Sequence, residues 1–205
     1  LEGNLAVNAG FLVGHSALRR VVMGEDAIGH EATPAQLDAM LALLHESIEA
    51  GGLGFSSTYS NSHSDHQGNP VPSRFASRDE FLALSKAAGQ HDGTTLEFIA
   101  SAGATFSDEE IDLMADMSAV AKRPLNWNVM VVNSDPSAAA GRANKLSASD
   151  VAAARGGRVV GLCLPEAMRM RLCFASGFVL DMLPGVRDYI HLPHAERRAA
   201  FADPA

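Results

Sequence analysis

Two apolar segments of the 205-residue chain carry polar side chains at every second position. In TTLEFIA, residues 94–100, Thr95 and Glu97 alternate with Leu96 and Phe98; in LNWNVM, residues 125–130, Asn126 and Asn128 alternate with Leu125, Trp127 and Val129. Alternate residues of a strand share a face. If the apolar faces lie under helices, the four polar side chains share a hollow in a barrel mouth or sheet crevice. A carboxylate there costs several kcal/mol to desolvate unless it is paired or hydrogen-bonded. Glu97, with Asn126 and Asn128, is therefore the leading candidate for catalysis; the structural alternative is a buried polar network that only holds the sheet together.

Three other groupings bear on chemistry. VGHSALRR, residues 13–20, approaches the G-x-S-x-G nucleophile elbow at Gly14, His15 and Ser16,. Its fifth position is Leu18, and LRRVVMG after it shows no helical stripe of useful length, so a serine nucleophile is the weaker reading. His63, Asp65 and His66 crowd into four positions of FSSTYSNSHSDHQGNP, residues 55–70. Metal ligands sit as a rule on elements that fix their vectors. This loop of Ser, Asn and Gly instead predicts a polar lid and no metal site. Cys163 and Cys173 lack CxxC spacing and read as reduced core thiols,.

Composition narrows the field. With 47% hydrophobic and 20% charged residues the chain is globular in type, and a net charge of −8 argues against affinity for nucleic acid,. No apolar run reaches the roughly 18–20 residues that cross a bilayer, and no basic segment followed by an apolar one opens the chain. A cytoplasmic protein without membrane or nucleic-acid partners is expected. The first residue is Leu1 rather than Met, which suggests a piece of something longer.

The elements that position these residues follow a rhythm. GFLVGH, GLGFSS, TTLEFIA, PLNWNVMVV and GRVVGLCLP are β-like runs whose starts lie about one strand, helix and two loops apart, the pattern of parallel βα units,. Thr33 with Gln36, Ser77 with Glu80 and Ser107 with Glu110 fit the capping box at three helix starts,. After Thr33 and Pro34, Leu37, Met40, Leu41, Leu44 and Ile48 form one buried stripe, closed by Gly51 and Gly52,. Later helices bury Phe81, Leu82 and Leu84, then Ile111, Leu113, Met114 and Met117; Glu80, Lys86, Asp112 and Asp116 are expected on the solvated face. SASDVAAARGG reads as a short helix, while 58–76 and 133–147 read as long loops leaving strand ends, where βα folds carry chemistry,.

VGHSALRRVVMG, then ATPAQLDAMLALLHESIEAGGLGFSST with a tyrosine, VPSRFASRDEFLAL and the closing FADPA resemble, in order, the amidohydrolase superfamily. The branch they are most similar to is the D-aminoacylase-like N-acyl-D-amino-acid deacylases (amidohydrolase family 3). The resemblance implies a (β/α)8 barrel with one or two divalent metals, zinc as a rule, that activate a water for attack on an amide. It also implies that the third and fourth strands here end in metal-binding histidines. Phe98 and Val129 stand at those places, or Glu97 and Asn128 after a one-residue shift. It places the family's first metal-binding strand before Leu1 and its catalytic aspartate after Ala205.

A closed barrel needs about 250 residues. The expected fold is therefore a partial TIM barrel of about five parallel βα units over 1–165, with a C-terminal helical appendage over 166–205. The expected function is that of a fragment of a metal-dependent amidohydrolase hydrolysing non-peptide C–N bonds, inactive in isolation, with its metal doubtful in this chain. From the resemblance, His15 and Arg19 shape the acid end of the substrate, Ser57 and Tyr59 bind its amide, and Glu97, Asn126 and Asn128 stand where the metal site would be. The alternative is a barrel scaffold that has lost its metal and binds a small acid or a partner subunit. Open sheet edges predict pairing with another copy.

Overall fold

A computed structural model of the chain describes residues 7–65, 68–132, 135–164, 166–167, 169, 171–172, 180, 183 and 185–202. Five strands, β1 (Val13–Gly14), β2 (Gly54–Thr58), β3 (Thr95–Ile99), β4 (Pro124–Met130) and β5 (Arg158–Cys163), form one sheet in the order β1-β2-β3-β4-β5. All four pairings are parallel. Sequential order with every strand running the same way is the arc of a (β/α) barrel, and it brings all strand C-terminal ends to one side.

Register sorts the side chains into layers. Val13, Phe55, Leu96, Leu125 and Val159 lie side by side across the sheet, and the last four are 2% exposed or less. Two residues on, Phe98 pairs with Trp127, also buried. The opposite face carries Ser56, Glu97, Asn126 and Val160 in one row.

The apolar face packs beneath α1 (His15–Met23), α2 (Pro34–Glu49), α3 (Arg78–Ala88), α4 (Asp108–Ala121) and α5 (Ala139–Ala154). Met40, Leu44 and Ile48 of α2 and Met114 and Met117 of α4 enter this core as the apolar spacing predicts. Thr33 and Ser107 form complete capping boxes. Ser77 accepts from the Glu80 amide, but the Glu80 side chain does not return to it.

Four expectations need correction. α1 follows β1 at once and runs nine residues, because Leu18 and Met23 bury on one side together with Arg19, a charge that the stripe rule does not admit. Residues 139–147 belong to α5, a 16-residue helix, and not to a loop. Glu80 is 1% exposed and faces inward. Cys163 is a free and exposed thiol, not a core one; Cys173 lies outside the described residues.

Beyond β5 the described residues include α6 (Arg187–Ile190) and α7 (His194–Ala202), with Ile190 buried. Among the described residues no helix is long and apolar enough to cross a membrane.

Candidate functional site

Glu97, Asn126 and Asn128 meet on the face of the sheet away from the helices. Glu97 and Asn126 are direct partners in the β3–β4 register. The Asn128 side-chain amide donates to Glu97 Oε1, and Asn126 Nδ2 donates to Asn128 Oδ1 at 3.3 Å. Thr95 shares their face lower on β3 and donates to the Pro124 carbonyl. The alternation of polar residues thus becomes a ladder of amides ending on one carboxylate.

A hollow of about 210 Å³ opens at the ends of β1, β2 and β3. Ser16, Ser56, Thr58, His63, Ser73 and Glu97 line it, with His15 and Ser57 also in its wall. His63, read from the sequence as part of a polar loop, lines the same hollow as Glu97. Burial holds the His63 imidazole below its ordinary pKa. His66 lies outside the described residues. Asp65 is tied to its own loop, accepting from the Asn69 amide at 2.9 Å, and pairs with Arg20.

His15, Arg19 and Ser57 form a second network behind the hollow. The Arg19 guanidinium sends one nitrogen to both Glu80 oxygens, at 2.7 and 2.6 Å, and another to the carbonyls of Ala27 and His30. His15 Nε2 lies 2.7 Å from Glu80 Oε1, and its Nδ1 lies 2.8 Å from Ser57 Oγ. Arg19 and His15 are 0% and 1% exposed.

Burial chiefly, with the Arg19 charge, lowers the His15 pKa and outweighs the Glu80 hydrogen bond and charge that raise it. Burial alone would raise the Glu80 carboxyl, but the hydrogen bonds and charges of His15 and Arg19 outweigh it and leave the group below its usual range. The stable state is therefore a neutral His15 beside an ionised Glu80–Arg19 pair. Arg19 is committed to the protein and has no face for a solute. Tyr59, 47% exposed, borders a different hollow of about 590 Å³ with Phe81, Phe98 and Arg78.

Ser16, two residues after β1, donates to Ser73 Oγ and accepts from the Ser73 amide. Neither contact is a base, so the elbow-like spelling carries no activated nucleophile.

No protein-family model matches the chain, and no curated protein matches it. Two solved structures do share its fold. One is a D-aminoacylase described as defining a novel subset of amidohydrolases, with TM-score 0.57, 21% identity and 78% of this chain covered. The other is a D-aminoacylase point variant in complex with copper chloride, with TM-score 0.57 and 22% identity. The aligned region spans 31% of each of those chains. The chain thus shares the fold of about a third of each of those two chains, with β1 and β5 at opposite edges of the sheet among the described residues.

A divalent metal does not fit the donors present. Among the described residues no three His, Cys, Asp or Glu side chains stand close enough to share an ion. Phe98 is wholly buried on the helix side, so the inward-facing positions fall to Glu97 and Asn128. One carboxylate already bonded to an amide, with a second amide behind it, is a poor set for zinc, which prefers nitrogen and sulfur.

Proposed function

We propose that the chain is part of an amidohydrolase-type protein that holds a small amide at the C-terminal ends of its strands for hydrolysis of a non-peptide C–N bond. The N-acyl-D-amino-acid type is the substrate class that the family resemblance favours. The observation that carries this reading is the Glu97–Asn128–Asn126 ladder on the inner face, at the end where barrels of this fold place their chemistry,. Glu97 supplies an oxygen that accepts a hydrogen bond or a proton, Asn128 fixes its orientation, and Asn126 orients Asn128. In the superfamily a divalent metal, zinc as a rule, supplies the activated water; we place any such ion on residues other than those described. We also place the protein in the cytoplasm, in keeping with the free thiol of Cys163,.

The test uses the intact protein with a panel of N-acyl-D- and N-acyl-L-amino acids and cyclic amides, alongside its metal content. Glu97→Gln is expected to lower kcat/KM by about a hundredfold or more while the fold is kept. Absence of C–N hydrolysis across the panel overturns the hydrolase reading. The amide bonded to Glu97 favours a second reading, a scaffold that binds a small molecule without turnover; binding without hydrolysis and without stoichiometric zinc would establish it.

A further inference from the structure

A pair of imidazoles meets at the end of the sheet opposite the hollow. His45 lies on α2, and His91 lies between the end of α3 and the start of β3, at the N-terminal ends of the strands. His45 Nδ1 and His91 Nε2 are 2.8 Å apart, the ring centres are 5.0 Å apart, and both residues are partly buried.

Both rings stand on fixed backbone. His45 sits in α2 between turns anchored by Leu44 and Ile48 of the core. The His91 amide donates to the Ala88 carbonyl at 3.2 Å, and its own carbonyl accepts from Thr94 Oγ1 at 2.8 Å and Arg123 Nη2 at 2.9 Å. The Arg123 charge is itself paired with Asp92 at 3.2 Å.

With both rings neutral, one facing nitrogen donates to the other. Moving that proton to the second nitrogen of its own ring bares both facing nitrogens at no cost in charge. The pair then offers two lone pairs held by ordered elements, the condition under which imidazoles act as metal ligands.

The spacing of the rings selects the geometry of the ion. A bound imidazole has its nitrogen about 2.0–2.1 Å from the metal and its centre about 3.2 Å away, so two of them on one ion have centres about 5.2 Å apart at the tetrahedral angle and about 4.5 Å apart at a right angle. The observed 5.0 Å is close to the tetrahedral value. A turn of each ring in place, parting the nitrogens to about 3.3 Å, converts the hydrogen bond into a chelate without moving α2. No third His, Cys, Asp or Glu side chain stands close enough among the described residues, so water completes the shell and the ion exchanges freely.

We infer that His45 and His91 form an exchangeable site for a tetrahedral divalent cation of the zinc type, which ties α2 to the turn before β3. It is independent of the Glu97 ladder and of any hydrolysis there.

The first measurement is the residue-resolved side-chain ¹⁵N spectrum of the intact protein during titration with zinc chloride alone, so that zinc held elsewhere does not interfere. His45 Nδ1 and His91 Nε2 are expected to become metal-bound together, with the ring protons on His45 Nε2 and His91 Nδ1. Spectra of the two rings that stay unchanged up to millimolar zinc mean a hydrogen bond and nothing more, and overturn the inference. The second measurement compares variants and ions. His45→Gln and His91→Gln, with their folds checked by circular dichroism, should each weaken zinc binding at these positions at least about tenfold. Nickel(II), which does not share the tetrahedral preference, should bind there no more tightly than zinc although its intrinsic affinity for such donors is higher. Zinc binding unchanged in either variant, or nickel binding tenfold tighter than zinc, also overturns it; if neither variant folds, the spectrum of the unsubstituted protein decides alone.

Discussion

At the scale of single residues, the most consequential feature is the buried Arg19–Glu80 pair with His15 attached. Two charges with almost no exposure persist because each pairs with the other and the second terminal nitrogen of Arg19 reaches two backbone carbonyls, although Arg19 Nε is buried without a partner among the described residues,. Arg19→Met leaves Glu80 charged and half-paired in a dry site, and is expected to cost about 3–5 kcal/mol, read as a lowered urea midpoint at unchanged slope. Acid should attack the same place. His15 has a native pKa below its ordinary value of 6.5, so between the two values the unfolded chain binds more protons than the native one,. Its share of stability is complete above pH 6.5 and lost as the pH falls through the native value; His63 acts in the same sense. Glu80 behaves as a depressed carboxyl, contributing above the ordinary carboxylate range and failing only at lower pH,. Urea midpoints taken from neutral to mildly acidic pH should therefore fall in two stages. The first should flatten in a His15→Gln chain that still folds; a midpoint independent of pH in the first range would refute the neutral imidazole.

At the scale of elements, Thr33 and Ser107 each hold a helix start by a reciprocal pair of hydrogen bonds, and Thr33→Ala or Ser107→Ala should each cost about 1 kcal/mol in thermal or urea unfolding,. Close approach is set elsewhere by what is missing. A Cβ on Gly161 of β5 would stand 2.7 Å from the Trp127 ring, so Gly161→Val should cost about 1–3 kcal/mol by overpacking,. These elements were largely legible in the sequence because their signals are local: alternation marks β3 and β4, and hydroxyl-to-carboxyl spacing marks the caps. What stayed hidden needed partners far along the chain. α1 was missed because its buried face includes a charge whose partner lies 61 residues away. Glu80 read as a surface residue for the same reason, since its cap position concealed its inward turn. The first half of α5 hid behind small polar residues and alanines that give a weak apolar stripe, while its second half was legible in SASDVAAARGG. Glu97 with the two asparagines was visible from period-two spacing alone, whereas the link from Ser57 through His15 to Glu80 exists only once β2, α1 and α3 are packed.

At the scale of the whole molecule, the sheet is an arc with two free edges among the described residues. β1 pairs over only two residues, so little backbone is left unpaired there. β5 is longer and exposes Leu162; just beyond it, exposed Leu164 lies with Val131 and Val132 around an apolar hollow of about 690 Å³ that Cys163 also lines. Unpaired strand groups and adjoining apolar surface together form a template for another strand. The 205-residue chain is accordingly expected to self-associate through β5, with a weight-average mass that rises with concentration in sedimentation equilibrium. Leu162→Lys puts a desolvation penalty on that contact without touching the buried row at Val159, so it should shift the mass toward the monomer at unchanged circular dichroism,. If the association runs instead through α6 and α7 the lysine will leave it intact, while Tyr189→Asp, at an exposed site on α6, will disperse it. A longer protein that closes the barrel against β5 should be insensitive to both substitutions in its oligomeric state, because the same backbone groups are then paired within one chain.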